Sequence, residues 1–370
     1  MAARRFVADK IKHVLGLIFR GMTKGWIPFS KLFLVSDSPN WSISHDMKEL
    51  ANIASQIGVA TSISSLWQYA SSQSVFFGSH FDLLLRGGLP KGNHHLGTAY
   101  FHGRPGTGVR EFDEAFAELC KSHERVDRIQ VSCKGMKEVV LSSGIAAEKV
   151  FLIPIGINIG YFRMQTPWTR SLARKKYSIP ESAFVVGSFQ KDGVGWDEGL
   201  EPKLIKGPDI FLKAIGVLKR SIPTLFVFLS GPARGYVKRG LEEMGVPYGH
   251  SYEAAYSGLG NMYQALDLYI VASREEGGPK SILESMASGV PLVTTRVGQA
   301  VDLVRHEDNG WIVDVEDYEG LASWGEQVVS RSGHLGNILA SARKMAEANA
   351  YSTQLPLWRE FMKGFVEPTL

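Results

Sequence analysis

Residues 273–291 of this 370-residue chain read SREEGGPKSILESMASGVP. An apolar run ends at Ser273, and a glycine-rich turn follows it. The residues from Lys280 onward have helical spacing, Gly289 is typical of a helix C-cap, and a new apolar run begins directly after it. The stretch therefore predicts a strand, a turn, a helix and a second strand in immediate succession.

The turn and the start of this helix have the chemistry of a binding site. Gly277 and Gly278 leave backbone N–H groups uncovered at a helix N-terminus, where the amides and the helix dipole suit an anion such as a diphosphate. Glu276 precedes the turn, and Glu284 lies within the helix. Carboxylates do not suit a phosphate, but they accept hydrogen bonds from sugar hydroxyls. An isolated glutamate pair is more often a solvated helix terminus, so the pattern needs support from the rest of the chain.

Short β-rich apolar runs alternate with helical patterns along the whole chain. Such alternation is typical of parallel sheets that helices cover on both faces, with ligands bound beyond the carboxyl ends of the strands. Two such series predict an α/β protein of two Rossmann-like domains, residues 1–163 and 164–349, with the boundary near Gly160–Trp168. The predicted strands are Lys31–Asp37, Ser74–His80, Gly97–Gly103, Arg128–Lys134, Lys149–Gly156, Ala183–Phe189, Thr224–Gly231, Leu266–Ser273, Val290–Val297 and Gly310–Asp314.

The composition indicates a globular cytoplasmic protein. Hydrophobic residues make up 44% and charged residues 21% of the chain, which excludes a disordered chain, a collagen and a coiled coil. Two cysteines, Cys120 and Cys133, are too few for a disulfide framework or a structural zinc site, so we expect reduced thiols. The net charge of +4 is concentrated at the N-terminus, and the body of the protein is therefore not a nucleic-acid surface.

The N-terminal segment is basic and amphipathic. Its apolar stretch is too short for a transmembrane helix, and it lacks the cleavage site of a signal peptide. Residues 4–20 predict a helix that rests either on an anionic membrane, as a peripheral contact, or on the body of the protein. The apolar residues that share one face of this helix are Val7, Ile11, Val14, Leu15 and Ile18.

The glutamate pair and its surroundings resemble the signature of retaining glycosyltransferases of family 4, group 1 enzymes with the GT-B fold. The resemblance implies two Rossmann-like domains that face each other across a cleft, with the acceptor on the first and a nucleotide sugar on the second. It implies that Glu284 binds the ribose hydroxyls and that Glu276 binds hydroxyls of the donor sugar. It also implies that backbone amides of the helix start meet the diphosphate and the sugar, which gives the donor-binding set Gly277, Gly278, Pro279, Lys280 and Ser281. The residues that carry the resemblance are Glu276, Gly277, Gly278, Glu284, Met286, Ala287, Gly289 and Pro291.

Lys206, followed by Gly207, resembles a Lys-Gly pair of the family in which the lysine neutralises the leaving diphosphate. The family commonly has an arginine after the glycine that corresponds to Gly187, in the turn after the first strand of the second domain. This chain has Ser188 there. The second cation of the diphosphate site is therefore left open between Lys191 and Arg234. An insert, Asp192–Pro202, follows this turn and either covers the donor or forms a surface loop.

The first domain carries less of the resemblance. His102 ends a predicted strand at a place where the family often has a histidine that faces the reacting sugar, and the alternative is a capping or core histidine. The loop after the first strand reads SPNWS at residues 38–42 instead of the two glycines of the family, so we assign no phosphate contact there. The last helix, about residues 350–370 with Trp358, resembles the helix of the family that crosses back to the first domain.

Together these features predict a metal-independent glycosyltransferase of polysaccharide biosynthesis that transfers a hexose from a nucleotide diphosphate sugar to a hydroxyl of a glycan or lipid-linked acceptor. We expect no metal, because the chain contains no Asp-x-Asp pair, and no cofactor beyond the sugar nucleotide as co-substrate. Two alternatives remain: a GT-B nucleotide-sugar epimerase, and a non-catalytic module that binds nucleotide sugars, which Ser188 favours. A dehydrogenase is disfavoured, since no strand is followed by Gly-x-Gly-x-x-Gly. The expected location is cytoplasmic, or peripheral on the inner face of the membrane.

Overall fold

The structure, a computed structural model, describes residues 31–36, 42–64, 74–86, 89, 94–253 and 255–366. The predicted membrane segment at residues 4–20 and the loop at residues 38–41 lie outside this part of the chain. The described chain divides into two compact units, one before Ile155 and after Ala350, the other from Ile155 to Ala350. This division precedes the boundary that the sequence predicts at residue 163. No helix in the described part combines the length and apolarity needed to cross a bilayer.

The first unit contains a parallel sheet. Its strands are β1 Lys31–Val35, β2 Ala60–Ser64, β3 Ser74–Phe77, β4 His95–Ala99, β5 Arg128–Val131 and β6 Val150–Leu152, and its helices before the second unit are α1 Ser42–Gln56, α2 Arg110–Ser122 and α3 Lys134–Leu141. Among the described residues the strand order is β2-β1-β3-β4-β5-β6. The central strands are apolar runs that are buried almost throughout, as expected of parallel strands covered on both faces.

The second unit also contains a parallel sheet. Its strands are β7 Phe184–Phe189, β8 Leu225–Ser230, β9 Tyr248–His250, β10 Leu268–Val271, β11 Leu292–Thr295 and β12 Trp311–Val313. Its helices are α4 Pro167–Lys176, α5 Pro208–Ser221, α6 Gly235–Glu243, α7 Leu259–Tyr263, α8 Lys280–Ser288, α9 Ala300–Leu303, α10 Tyr318–Ser330 and α11 Gly336–Ala348. The described strands have the order β12-β11-β10-β7-β8-β9, so the order reverses between β7 and β10. The carboxyl ends of these two strands form the switch point, where sheets of this kind bind ligands.

The last described helix, α12 Leu355–Met362, belongs to the first unit. Trp358 is 4% exposed, and its ring meets the ring of Phe76 edge-on at 6.1 Å. Beyond the helix, the Phe365 carbonyl oxygen accepts a hydrogen bond from Ser74 Oγ at 2.7 Å. The C-terminal segment thus packs on the core of the first unit, the arrangement that the resemblance predicts for it.

Every predicted strand coincides with an observed strand, but the sequence analysis missed β2 and β9. Each of these is the outermost strand at one edge of its sheet, and their sequences, ATSIS and YGH, contain little apolar surface. The strand predicted at Gly97–Gly103 ends at Ala99, so His102 lies in the turn after it rather than at its end.

Candidate active site

Lys206 and Glu276 meet beside the switch point of the second sheet. Lys206 ends the 3₁₀ turn Leu204–Lys206 before α5, and Glu276 lies in the turn after β10. Lys206 Nζ donates to Glu276 Oε1 at 2.6 Å, and the two side chains are 25% and 12% exposed. Ser273 Oγ donates to the same carboxylate oxygen at 3.0 Å. The residues predicted to serve the diphosphate and the sugar thus form one largely buried ion pair.

Arg274 fixes the turn that carries Lys206 against the end of β10. Its guanidinium donates to both carboxylate oxygens of Asp209 and to the Leu204 carbonyl oxygen, each at 2.7 Å. Its backbone N–H donates to the Ile205 carbonyl oxygen at 2.9 Å. The hydrogen bonds to Asp209 above all raise the pKa of Arg274. The Arg274 guanidinium therefore stays charged, and by fixing this turn it sets the position of Lys206.

The end of β7 joins the same cluster. Gln190 Nε2 donates to the Lys206 carbonyl oxygen at 3.0 Å, and the Phe189 N–H donates to the Tyr269 hydroxyl at 2.8 Å. Burial above all raises the pKa of Tyr269 to about 12, and its hydroxyl also has a side-chain hydrogen bond with Ser281. Ser281, which the sequence predicts at the diphosphate, thereby ties the start of α8 to the carboxyl end of β7.

Two glycines allow these loops to approach so closely. Gly207 lies between the 3₁₀ turn and α5 with φ +62°, and a Cβ there would collide with the carbonyl oxygen of Ala272. Gly298 has φ +47°, and a Cβ there would collide with the carbonyl oxygen of Glu276. A side chain at either position would push its loop away from the ion pair.

Gln299 packs against the glycine turn that precedes α8 and stabilises it. The Gln299 N–H donates to the Gly277 carbonyl oxygen at 3.1 Å, and a Cβ on Gly278 would lie 2.8 Å from Gln299 Oε1. Pro279 is the N-cap residue of α8 and provides no side-chain cap. The first N–H groups of α8 therefore have no capping side chain at this residue, as an anion site at a helix N-terminus requires.

Glu284 lies on α8 and is 3% exposed. Tyr256 Oη donates to its Oε1 at 2.6 Å, and Tyr263 Oη donates to its Oε2 at 2.8 Å. Burial, followed by the charge of Glu284, holds the pKa of Tyr263 well above its usual value. Lys280 Nζ lies 5.0 Å from the centre of the Tyr256 ring, so the predicted Lys280 and Glu284 share one neighbour. Each carboxylate oxygen has a second lone pair that suits a ribose hydroxyl.

Arg234 is not available to a diphosphate in this structure, which corrects one candidate for the second cation. Its side chain is fully buried and donates to Asp192 Oδ1 at 2.9 Å, to the Ser188 carbonyl oxygen at 2.6 Å and to Ser188 Oγ at 3.0 Å. Burial raises the pKa of Asp192 and the guanidinium opposes that rise. The guanidinium, Ser188 and Asp192 thus form an internal link between β7 and the insert, and Ser188 faces this link rather than a ligand.

The predicted phosphate turn also begins later than expected. Gly187 and Ser188 lie within β7, where Gly187 is paired with Phe228 and Tyr269. Lys191 follows the strand, and its Nζ lies 4.9 Å from the centre of the Trp196 ring. Burial lowers the pKa of Lys191, and no ion pair to it occurs in the part of the chain that the structure describes. Lys191 is therefore the remaining candidate for the second cation.

His102 lies in the first unit, within a cluster of aromatic rings. Its ring meets that of His80 edge-on at 6.0 Å and that of Phe112 edge-on at 5.7 Å. His80 is buried and stacks on Tyr100 at 3.8 Å, and burial first and His102 second keep the pKa of His80 well below its usual value. A contact of His102 with the reacting sugar stays a prediction.

Sequence reasoning missed Arg274, Tyr256 and Tyr263. Arg274 lies within residues 273–291, directly before Glu275 and Glu276. Its position just after a predicted strand could have identified it as a candidate. The tyrosines lie 28 and 21 residues from Glu284, and no spacing rule connects them to it. Only the fold brings these hydroxyls to the carboxylate.

Comparison with protein families identifies the segment that holds this cluster. Residues 199–330 match the profile of the family described as glycosyl transferases, group 1. This segment is therefore similar to group 1 glycosyl transferases. The matched segment includes Lys206, Arg274, Glu276 and Glu284. The resemblance seen in the sequence is confirmed at this level, and the narrower assignment to family 4 stays a prediction.

Curated relatives extend the similarity beyond the matched segment. An uncharacterized glycosyltransferase of Methanocaldococcus jannaschii is 26% identical over 232 residues, which cover 61% of this chain and 57% of that protein. The lipopolysaccharide core biosynthesis mannosyltransferase LpsB of Rhizobium meliloti is 26% identical over 168 residues, 43% of this chain and 45% of its own. The chain spans about half the length of the curated relatives it matches.

Solved structures share the fold of this chain. HepE of Anabaena in complex with UDP-glucose matches with a TM-score of 0.75 at 15% identity, over 90% of this chain and 99% of that chain. Sucrose-phosphate synthase of Thermosynechococcus elongatus matches with a TM-score of 0.72 at 14% identity, over 90% and 100% of the two chains. The two parallel sheets with interleaved helices are those of the GT-B fold, and the predicted fold class is confirmed.

Proposed function

We propose that this protein is a retaining glycosyltransferase that transfers a hexose from a nucleotide diphosphate sugar to a hydroxyl of a glycan or lipid-linked acceptor. The observation that carries the proposal is the 2.6 Å pair of Lys206 and Glu276, beside the switch point and within the matched family segment. An ammonium group and uncapped amides compensate a diphosphate, while a carboxylate accepts hydrogen bonds from sugar hydroxyls. The diphosphate and the sugar are the two parts of a nucleotide sugar donor.

In the proposed reaction the bond between the anomeric carbon and the phosphate oxygen breaks, and the acceptor oxygen bonds to the anomeric carbon on the same face. The leaving phosphate takes the proton of the acceptor hydroxyl, so the configuration is kept without a protein nucleophile. Lys206 and the amides at the start of α8 stabilise the charge of the leaving diphosphate, and Glu276 orients the sugar. Because these groups supply the charge compensation, we expect turnover to persist in EDTA.

The comparisons support the substrate classes in this proposal. HepE is seen with UDP-glucose, and LpsB is a mannosyltransferase of lipopolysaccharide core biosynthesis. UDP-glucose is therefore the first donor to try, followed by other nucleotide hexoses, and glycans or lipid-linked sugars are the first acceptors. We place the reaction in the cytoplasm, since Cys120 and Cys133 are free thiols.

Kinetics of two variants test the proposal. Lys206→Met removes the charge on the leaving group and should lower kcat by about 10²–10³-fold. Glu284→Ala should mainly weaken donor binding, measured by calorimetry. The matched control is Lys344→Met, which removes an exposed lysine of α11 and should leave both quantities unchanged.

The outcomes separate the competing functions. Kinetics like those of the wild type in both Lys206→Met and Glu284→Ala would refute the site. Donor turnover without an acceptor would indicate an epimerase, and donor binding without turnover on any acceptor would indicate a non-catalytic module. The anomeric configuration of the product, read by NMR, tests retention.

A further inference from the structure

Helix α4 exposes two large apolar side chains on its outer face. Trp168 is 72% exposed and Leu172 is 47% exposed. Residues four apart lie on the same side of a helix, so these side chains are neighbours, and exposed Lys175 continues their row. A tryptophan this exposed is unusual for a residue of its apolar area.

The inner face of α4 is fixed to the second unit by two arginines. Arg170 donates to Asp267 Oδ1 at 3.0 Å through Nη2, and Arg174 donates to Asp267 Oδ2 at 2.6 Å. The Arg174 side chain is fully buried, and its Nη1 also donates to the Ala183 carbonyl oxygen at 2.8 Å. Because this face holds buried charges, the helix cannot roll to cover Trp168 without breaking those bonds.

The start of α4 is equally well determined. Thr166 and Thr169 form a capping box in which the Thr169 N–H donates to Thr166 Oγ1 at 3.1 Å and the Thr166 N–H donates to Thr169 Oγ1 at 2.9 Å. Pro167 occupies the first turn. Both features fix the direction in which the helix begins, and Trp168 is held outward by a rigid element.

The surroundings of this face are positively charged. Residues 161–177 contain five basic residues and no acidic residue. Arg170 and Arg174 pair with Asp267 and Lys176 pairs with Glu253, so the excess positive charge comes from the other two. Arg163 and Lys175 are exposed, and neither forms an ion pair with a residue that the structure describes. Two further exposed apolar side chains, Tyr161 at 37% and Met164 at 39%, precede the helix. An apolar row edged by free cations is the pattern of a surface that meets an anionic apolar boundary.

We propose that the outer face of α4 docks the protein on an anionic lipid membrane. Trp168 and Leu172 would enter the headgroup boundary, and Arg163 and Lys175 would pair with lipid phosphates. A second copy of the chain is a poorer occupant, since a self-complementary interface would bring the same cations together. The contact shares no residue with the proposed catalytic site and is tested independently of it.

Vesicle flotation of the purified full chain tests this proposal. The vesicles are phosphatidylcholine alone, or equal parts of phosphatidylcholine and phosphatidylglycerol. We expect the wild type to float with the anionic vesicles only, and less so as NaCl is raised. Trp168→Ser with Leu172→Ser should lower the partition coefficient at least about tenfold, since each side chain loses its apolar burial. Lys175→Gln should lower it about fivefold.

The matched control is Trp196→Ser with Leu200→Ser. This pair has the same residue types, the same spacing and similar exposure, 66% and 47%, but lies in the insert. It should float as the wild type does, and circular dichroism confirms that each variant is folded. Unchanged flotation of the Trp168/Leu172 double variant would overturn the proposal in favour of residues 4–20 as the contact. A wild type that does not float, or a dimer in light scattering that only this variant abolishes, would overturn it as well.

Discussion

Lys206 and Glu276 bind each other, so each side chain competes with the ligand group that its partner is proposed to bind. Lys206 Nζ already donates to Glu276 Oε1 at 2.6 Å, so a diphosphate that approaches the ammonium must share it with this carboxylate. Ser273 Oγ also donates to Glu276 Oε1, which keeps the carboxylate in place. A nucleotide without a sugar faces this competition and gains no hydroxyl contact from Glu276 in return.

Glu276→Gln should therefore affect binding and turnover in opposite directions. The affinity for UDP is expected to rise about threefold to tenfold, because the ammonium loses its anionic partner. Turnover is expected to fall about a hundredfold, because the neutral amide oxygen accepts a weaker hydrogen bond from the sugar hydroxyl than the carboxylate does. Titration calorimetry with UDP and a transfer assay measure the two effects. Glu275→Gln makes the same change of charge one residue earlier and serves as the control. Weaker UDP binding by Glu276→Gln would contradict the competition.

At single positions the sequence predicted the chemical type of a side chain better than its exposure to solvent. Glu276 and Glu284 were proposed from the spacing around one turn and its family resemblance, and Lys206 from its resemblance to a Lys-Gly pair of the family. Arg234 was a candidate cation because of its charge, yet the fold buries it against Asp192. The sequence contains both residues but no signal that the insert returns Asp192 to β7, so the cancellation of the two charges was not predictable.

At the scale of elements, the sequence predicted what hydrophobic burial determines. The central strands are continuous apolar runs because both of their faces are covered, and all of them were found. The edge strands β2 and β9 have one neighbour each and few apolar residues, and they were missed, whereas the apolar edge strands β6 and β12 were found. The start of α8 at Lys280 and its end at Ser288 were predicted to the residue, since glycines and a proline mark both ends.

Helix α12 offers a quantitative test of its place in the first unit. Trp358 is 4% exposed and packs edge-on against Phe76 and Phe361, with ring centres 6.1 and 5.2 Å away. Trp358→Ala should lower the free energy of unfolding of this unit by about 3–5 kcal/mol. Leu357→Ala, next to it and 44% exposed, should change it by less than about 0.5 kcal/mol. Denaturant unfolding measures both, and equal small effects would contradict the packing.

At the scale of the whole molecule, the candidate residues are unevenly divided. All of them except His102 lie in the second unit, which has its own buried clusters. The first unit has a separate core, completed by Trp358 and Phe361. The resemblance covered the second half of the chain better, because the residues proposed to bind the nucleotide sugar lie there. The sequence of the first unit carries no comparable signature for the proposed acceptor.

This division predicts how a donor changes thermal unfolding. UDP-glucose at about 100 times its dissociation constant should stabilise the unit that binds it by about 2.7 kcal/mol. For a unit of this size, that corresponds to an upward shift of roughly 5–10 °C in its melting temperature. Scanning calorimetry should show the shift in the transition of the second unit, whereas Trp358→Ala lowers the other transition and so assigns both. Lys206→Met should reduce the shift produced by UDP-glucose. A donor-induced shift confined to the transition that Trp358→Ala lowers would place the nucleotide on the first unit and contradict the assignment of Glu284 and Lys206.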